Sequence, residues 1–170
     1  MRLALEAIND LERAGLIHSS AIGGAMGAMF YLEPFSTLDL DVFVVFQNPP
    51  LILTLTPIYD FLKGRGYRPE GDAVKIGEWP VQFLPAESRL LMEAVEQADS
   101  FEFEGVPARV MTAEHLMAIA LQTGRAKDHA RLLVFLSSGR VNLGKLETVL
   151  ERHDLYEAWQ RFKIRFVDTP

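Results

Sequence analysis

Apolar positions at helical spacing open the chain. Leu3, Leu5, Ile8 and Leu11 share one face, Gly15 follows, and a first helix is predicted over roughly residues 2–14. LIHSSAIGG reads as a short strand entering a glycine turn. GAMGAMFYLE is small and apolar without β-branching, which predicts a helix ending before Pro34. TLDLDVFVVF carries the strongest strand signal in the chain.

NPPLILTL reads as a loop with an extended piece. Thr56 is placed to cap a helix with Pro57 in its first turn, running to about Lys63. GRGYRP turns the chain, AVKIGEWPVQFLP gives two strands around Gly-Glu, AESRLLMEAVEQA a helix, and SFEFEGVPARVM a second hairpin. From Thr112 onward TAEHLMAIALQTG, AKDHARLLVFLSSG, NLGKLETVLERH and DLYEAWQRF read as successive helices. The expected fold class is α+β: a mixed-sheet core over 1–111, then a helical region over 112–170 that packs on the core or forms one unit with it.

Within this pattern, Asp39 and Asp41 stand at the head of an apolar strand. Residues i and i+2 share a face, about 6.5 Å apart along a strand. Leu38, Leu40, Val42 and Val44 then point the other way, into a core. Adjacent carboxylates repel unless a cation sits between them, and hard oxygen donors suit Mg²⁺ or a metal pair that organises attack at phosphorus. Gly23 and Gly24, at a strand–helix turn, offer backbone N–H groups and room for a phosphate. Thr37 can add a hydroxyl. Alone, a Gly-Gly pair is a turn and Asp-x-Asp a common loop motif. Their succession on strand, turn, helix and strand points to a nucleotide and metal site.

Those residues resemble the nucleotidyltransferase superfamily, in particular small bacterial proteins related to the abortive-infection and toxin–antitoxin nucleotidyltransferases. The pattern is Gly23-Gly24 followed by Thr37-Leu38-Asp39-Leu40-Asp41. EHLMAIALQTGRAKDHARLLVFL is similar to that group's helical motif, with Arg125, Lys127 and Asp128 in matching positions. The resemblance implies a nucleotidyltransferase-like palm. Asp39 and Asp41 are its catalytic metal ligands for Mg²⁺ or Mn²⁺, Gly23, Gly24 and Thr37 bind the nucleotide, and Arg125 and Lys127 reach its phosphates. The implied reaction moves a nucleoside monophosphate from an NTP to a hydroxyl of RNA or protein. A third carboxylate is expected on WPVQFLP, where Gln82 stands instead, and Ala120 replaces a common lysine. These departures open an alternative: an inactive nucleotide- or protein-binding component of a two-gene toxin–antitoxin or defence module. For Arg125, Lys127 and Asp128 the simpler reading is a solvated helix start.

Composition narrows the classes further. The 170 residues are 49% hydrophobic and 24% charged with a net charge of −6, which suits a globular domain and disfavours broad nonspecific nucleic-acid binding. Without cysteine there is no disulfide or thiolate chemistry, and the four histidines match no metal spacing. No run approaches the ~18 apolar residues of a membrane span, and the expected setting is the cytoplasm, with an oligomer allowed. Phe30, Tyr31, Phe43, Phe46 and Phe83 read as core, Trp79 as edge-strand packing, and His115 as a surface or capping residue. RFKIRF (161–166) reads as an edge strand or frayed terminus, with a basic-aromatic contact to nucleic acid or a partner as the alternative.

Overall fold

The computed structural model describes residues 1–32, 39–46 and 54–168. Helix α1 (Arg2–Arg13) buries Ala4, Leu5, Ala7, Ile8 and Leu11 along the predicted stripe. Strand β1 (Ser19–Ile22) passes through Gly23 into α2 (Gly24–Ala28). This helix is shorter than expected. Two of its five residues are glycine and no side chain caps it, so little holds a longer helix together. The backbone closes in a tight turn, with the Tyr31 and Leu32 N–H groups both donating to the Ala28 carbonyl at 3.0 Å.

Strand β2 (Leu40–Val45) keeps the predicted alternation: Leu40, Val42 and Val44 are fully buried, and Asp41, Phe43 and Val45 half-buried. The segment read as loop and extended piece lies largely outside the described residues. Helix α3 (Thr56–Gly64) has Pro57 in its first turn, but Thr56 is its first residue and not its cap. Leu55 holds the N-cap position without a side-chain cap, and Thr54 Oγ1 ahead of it accepts from the Thr56 N–H at 3.2 Å.

The stretch read as a plain turn contains a short exposed strand, β3 (Arg68–Glu70). It pairs with β4 (Ala73–Ile76), which forms a hairpin with β5 (Trp79–Pro85). Helix α4 (Arg89–Glu96) is capped by Ser88, whose Oγ accepts from the Leu91 N–H at 3.1 Å. The second hairpin is β6 (Asp99–Phe103) and β7 (Val106–Val110). Four helices follow: α5 (Ala113–Thr123), α6 (Ala126–Ser138), α7 (Leu143–Arg152) and α8 (Tyr156–Phe166). RFKIRF thus completes a helix. Trp159 and Phe162 are buried and stack at 5.6 Å, and Phe166 packs on His129, so the spacing of 3 and 4 prevails over the apparent alternation.

The strands form one mixed sheet in the order β3-β4-β5-β2-β1-β7-β6. β2 is its central strand, antiparallel to β1 and parallel to β5. β5 lies beside it, so Trp79 packs within the sheet and not on an edge. Helices α1 and α3 cover one face over Leu40, Val42, Val44, Val81 and Phe83. The other face is covered by α4 and the C-terminal helices, whose Phe135, Leu150 and Trp159 share a core with Ala21, Leu32 and Leu90. That core joins residues on both sides of position 111. Phe83 is fully buried, whereas Phe30, Tyr31, Phe43 and Phe46 are partly so.

His115 is buried, not superficial. Its Nδ1 lies 2.8 Å from Thr112 Oγ1 and its Nε2 3.3 Å from Glu93 Oε1 on α4. Glu93 also meets Arg152 at 2.5 Å and His153 at 3.0 Å, so one carboxylate ties α4, α5 and α7 together.

Candidate functional site

The antiparallel register sets Ile22 opposite Val42, so the chain leaves β1 beside the head of β2. There the Gly23 N–H donates to the Asp41 carbonyl at 3.0 Å. A Cβ on Gly23 would sit 2.6 Å from Phe43 Cε2. Gly24 has φ +58°, in the left-handed region, and a Cβ there would collide with the Asp41 carboxylate. Both glycines are therefore dictated by the approach of the turn to β2. Helix α2 is too short for its dipole to matter much. What the glycines permit is close packing of the turn against the Asp41 carboxylate and the Phe43 ring.

Asp39 is exposed just ahead of the strand, and Asp41 is half-buried. Burial pushes the Asp41 carboxyl up from its ordinary value, and the neighbouring Asp39 charge pushes the same way. Arg131, Lys127 and Arg125 oppose them. The Asp41 carboxylate thus feels the charge of Arg125, just ahead of α6, and of Lys127 and Arg131 on α6. Thr37 lies outside the described residues.

Gln82 occupies the rung beside Asp41 in the parallel β2–β5 ladder, so the two side chains stand on the same face. The expected third-carboxylate position therefore lies on the strand next to Asp41, and it carries an amide. Asp72 and Glu78 are exposed in turns and do not share that rung. Among the described residues no group of three or more acidic or histidine side chains could hold a metal. The donors present are two carboxylates and an amide carbonyl, with the Gly24 turn packed directly against Asp41. This hard oxygen set fits Mg²⁺ or Mn²⁺, which takes one or two carboxylates and completes its shell with water and phosphate oxygens.

The cationic side begins at Arg125, the residue preceding α6. Arg125 and Lys127 are exposed, but Asp128 is buried, which overturns the solvated-helix-start reading for that residue. Arg125 Nε donates to Asp128 Oδ2 at 2.7 Å, and its Nη2 reaches Oδ1 at 3.4 Å. Arg131 Nη1 lies 3.7 Å from Asp128 Oδ1. Arg131 was not singled out from the sequence. Its signal is the spacing 125, 128, 131, which puts three side chains in a row on one helical face. Ala120, on α5, is buried in the core.

No protein-family model and no curated protein matches the chain. Solved structures do. A solution structure of the antibiotic-resistance factor ANT(2″)-Ia aligns over 96% of this chain and 97% of its own, with TM-score 0.50 and 16% identity. A crystal structure of ANT(2″)-Ia in complex with adenylyl-2″-tobramycin aligns over the same shares, with TM-score 0.51 and 15% identity. An antigenic nucleotidyltransferase-like protein from Paracoccidioides brasiliensis aligns over 93% of this chain and 90% of its own, with TM-score 0.54 and 15% identity. The chain has the nucleotidyltransferase-like α+β fold.

Proposed function

We propose that the protein binds a nucleoside triphosphate at the Gly23-Gly24 turn and transfers its nucleoside monophosphate to a hydroxyl acceptor. The observation that carries this reading is the setting of the Asp41 carboxylate. This carboxylate packs on a turn where no Cβ is tolerated, within the field of Arg125 just ahead of α6 and of Lys127 and Arg131 on it. The fold likeness supports it, since one neighbour is described in complex with an adenylylated compound.

Arg125, Lys127 and Arg131 hold the polyphosphate, and the glycine turn lets it approach the sheet. Asp39 and Asp41, with the Gln82 carbonyl, would hold Mg²⁺ or Mn²⁺. When bound there, such an ion neutralises charge developing on the phosphates. The acceptor oxygen attacks the α-phosphorus, the bond to the bridging α–β oxygen breaks, and pyrophosphate leaves. The hydroxyl proton passes to water, because Gln82 is no base. The acceptor is an RNA 3′ end or a protein side chain. Rate enhancement comes from positioning and charge neutralisation.

Melting of the protein with each of the four NTPs, with and without Mg²⁺, tests this. At ~100 times its dissociation constant a ligand adds about 2.7 kcal/mol, a shift of roughly 5–11 °C in a chain of this size. Asp39→Asn with Asp41→Asn should abolish the Mg²⁺-dependent shift. An unchanged shift in that double variant would remove the site assignment. Gln82 favours a second reading, a nucleotide- or protein-binding member of a two-gene module that has lost the chemistry. Gain of transfer in Gln82→Asp supports the enzyme reading, and binding without transfer in both forms supports the second.

A further inference from the structure

Asp128 has no role in the chemistry above, yet it is a charged group that is 1% exposed. A buried carboxylate is tolerated only when paired. Its partners are the two arginines that flank it by three residues on either side. Its position in the first turn of α6 also suits a negative charge. The Arg125 side chain is 59% exposed and Arg131 18% exposed. An exposed arginine ordinarily samples many rotamers, and that freedom is lost when it grips a ligand. Here the two contacts from Arg125 fix its guanidinium plane before any ligand arrives.

We propose that Asp128 is a positioning residue that joins Arg125 and Arg131 into one preorganised clamp for the outer phosphates of the nucleotide, and that this clamp sets the preference for triphosphate over monophosphate. The proposal rests on the nucleotide-binding reading and deepens it. Lys127 adds charge next to the clamp. The α-phosphate lies at the glycine turn, so a nucleoside monophosphate does not need the clamp and a triphosphate does.

The test is the affinity of the full chain for an NTP and for the matching NMP, with Mg²⁺, in the wild type, Asp128→Asn and Arg131→Gln. Melting curves check the fold. The wild type is expected to favour the NTP by about 100-fold. Asp128→Asn should weaken the NTP at least about tenfold, the loss expected from a displaced charge-assisted contact, and leave the NMP within about twofold. Arg131→Gln should do the same, which decides the matter if Asp128→Asn does not fold. Asp128→Glu should recover part of the loss. A wild-type NTP to NMP ratio retained in folded Asp128→Asn, or in Arg131→Gln where only that variant folds, overturns the clamp alone. A wild type that binds no nucleotide overturns the nucleotide reading together with it.

Discussion

Gly24→Ala tests whether the turn was shaped around Asp41. The substitution adds one methyl group at φ +58°, against the carboxylate. An alanine in the left-handed region costs about 1–2 kcal/mol. Clearing the collision requires Asp41 to leave its rotamer or the turn to shift, which costs about 1–3 kcal/mol more. The expected loss is therefore about 2–5 kcal/mol, or roughly 4–20 °C in melting temperature. Gly15→Ala is the control, since Gly15 has φ +70° with nothing within 4 Å of its Cβ position. It should lose only about 1–2 kcal/mol. The difference between the two isolates the steric part. Asp41→Ala removes the carboxylate and leaves Asp41 Cβ, 3.1 Å from the new methyl group, as the nearest remaining side-chain atom. In a double-mutant cycle Gly24→Ala should then be about 1–2 kcal/mol milder in the Asp41→Ala background. Urea titrations of the four proteins supply the numbers. Equal losses at Gly24 and Gly15, or a cycle that closes without coupling, would refute the reasoning.

Asp41 should be a liability to the empty protein. Its folded carboxyl lies above the ordinary 3.8, so the charged form is penalised at neutral pH. Asp41→Asn is expected to raise the melting temperature by about 1–3 °C at pH 7 without Mg²⁺, a gain of the usual size for relieving a functional residue. A lower melting temperature would mean that the α6 cations outweigh burial and the Asp39 charge. The Glu93 hub predicts acid sensitivity. Burial lowers the His115 pKa from 6.5 despite the bond to Glu93, so as pH falls below 6.5 the unfolded chain takes up a proton that the native state resists. Glu93 is desolvated, but its bonds to His115 and His153 and the charge of Arg152 hold it below 4.5, so a second loss begins near there. Melting temperature should be level above pH 6.5 and fall below it, and His115→Gln should flatten the limb between pH 6.5 and 5. An unchanged limb in that variant would refute the assignment.

Much of the architecture was legible because hydrophobic period and turn chemistry agreed. The alternation in β2 set the two faces of the sheet, and the hairpins were bounded by Gly77 and Gly105. Gln82 comes into view through the family resemblance alone, since identifying two strands does not fix their register. Other features depended on partners distant in the chain. His115 looks like any first-turn histidine until Glu93 and His153 close around it. Arg131 gains meaning only from the burial of Asp128. Helix α8 is legible over DLYEAWQRF, but its C-terminal part was masked by the alternation within RFKIRF, although Trp159, Phe162 and Phe166 already carried the helical spacing. Helix α2 is poor in helix formers because Gly24 serves the approach to β2 and Gly27 the contact with Ile22 and Leu116, and those demands override helix length.

The carboxylates and glycines belong to the centre of the sheet, whereas the facing cations ride on α6, which is held to the sheet through a shared apolar core and no strand pairing. Sheet and helical layer can therefore open from one another without breaking a single ladder hydrogen bond. A polyphosphate spanning Gly24 and Arg125 would act as a staple across that seam. Occupancy would then be felt far from the site, as slowed amide exchange in α7 and α8. Proteolytic release of the C-terminal helices would become a sensitive reporter of whether the nucleotide is in place.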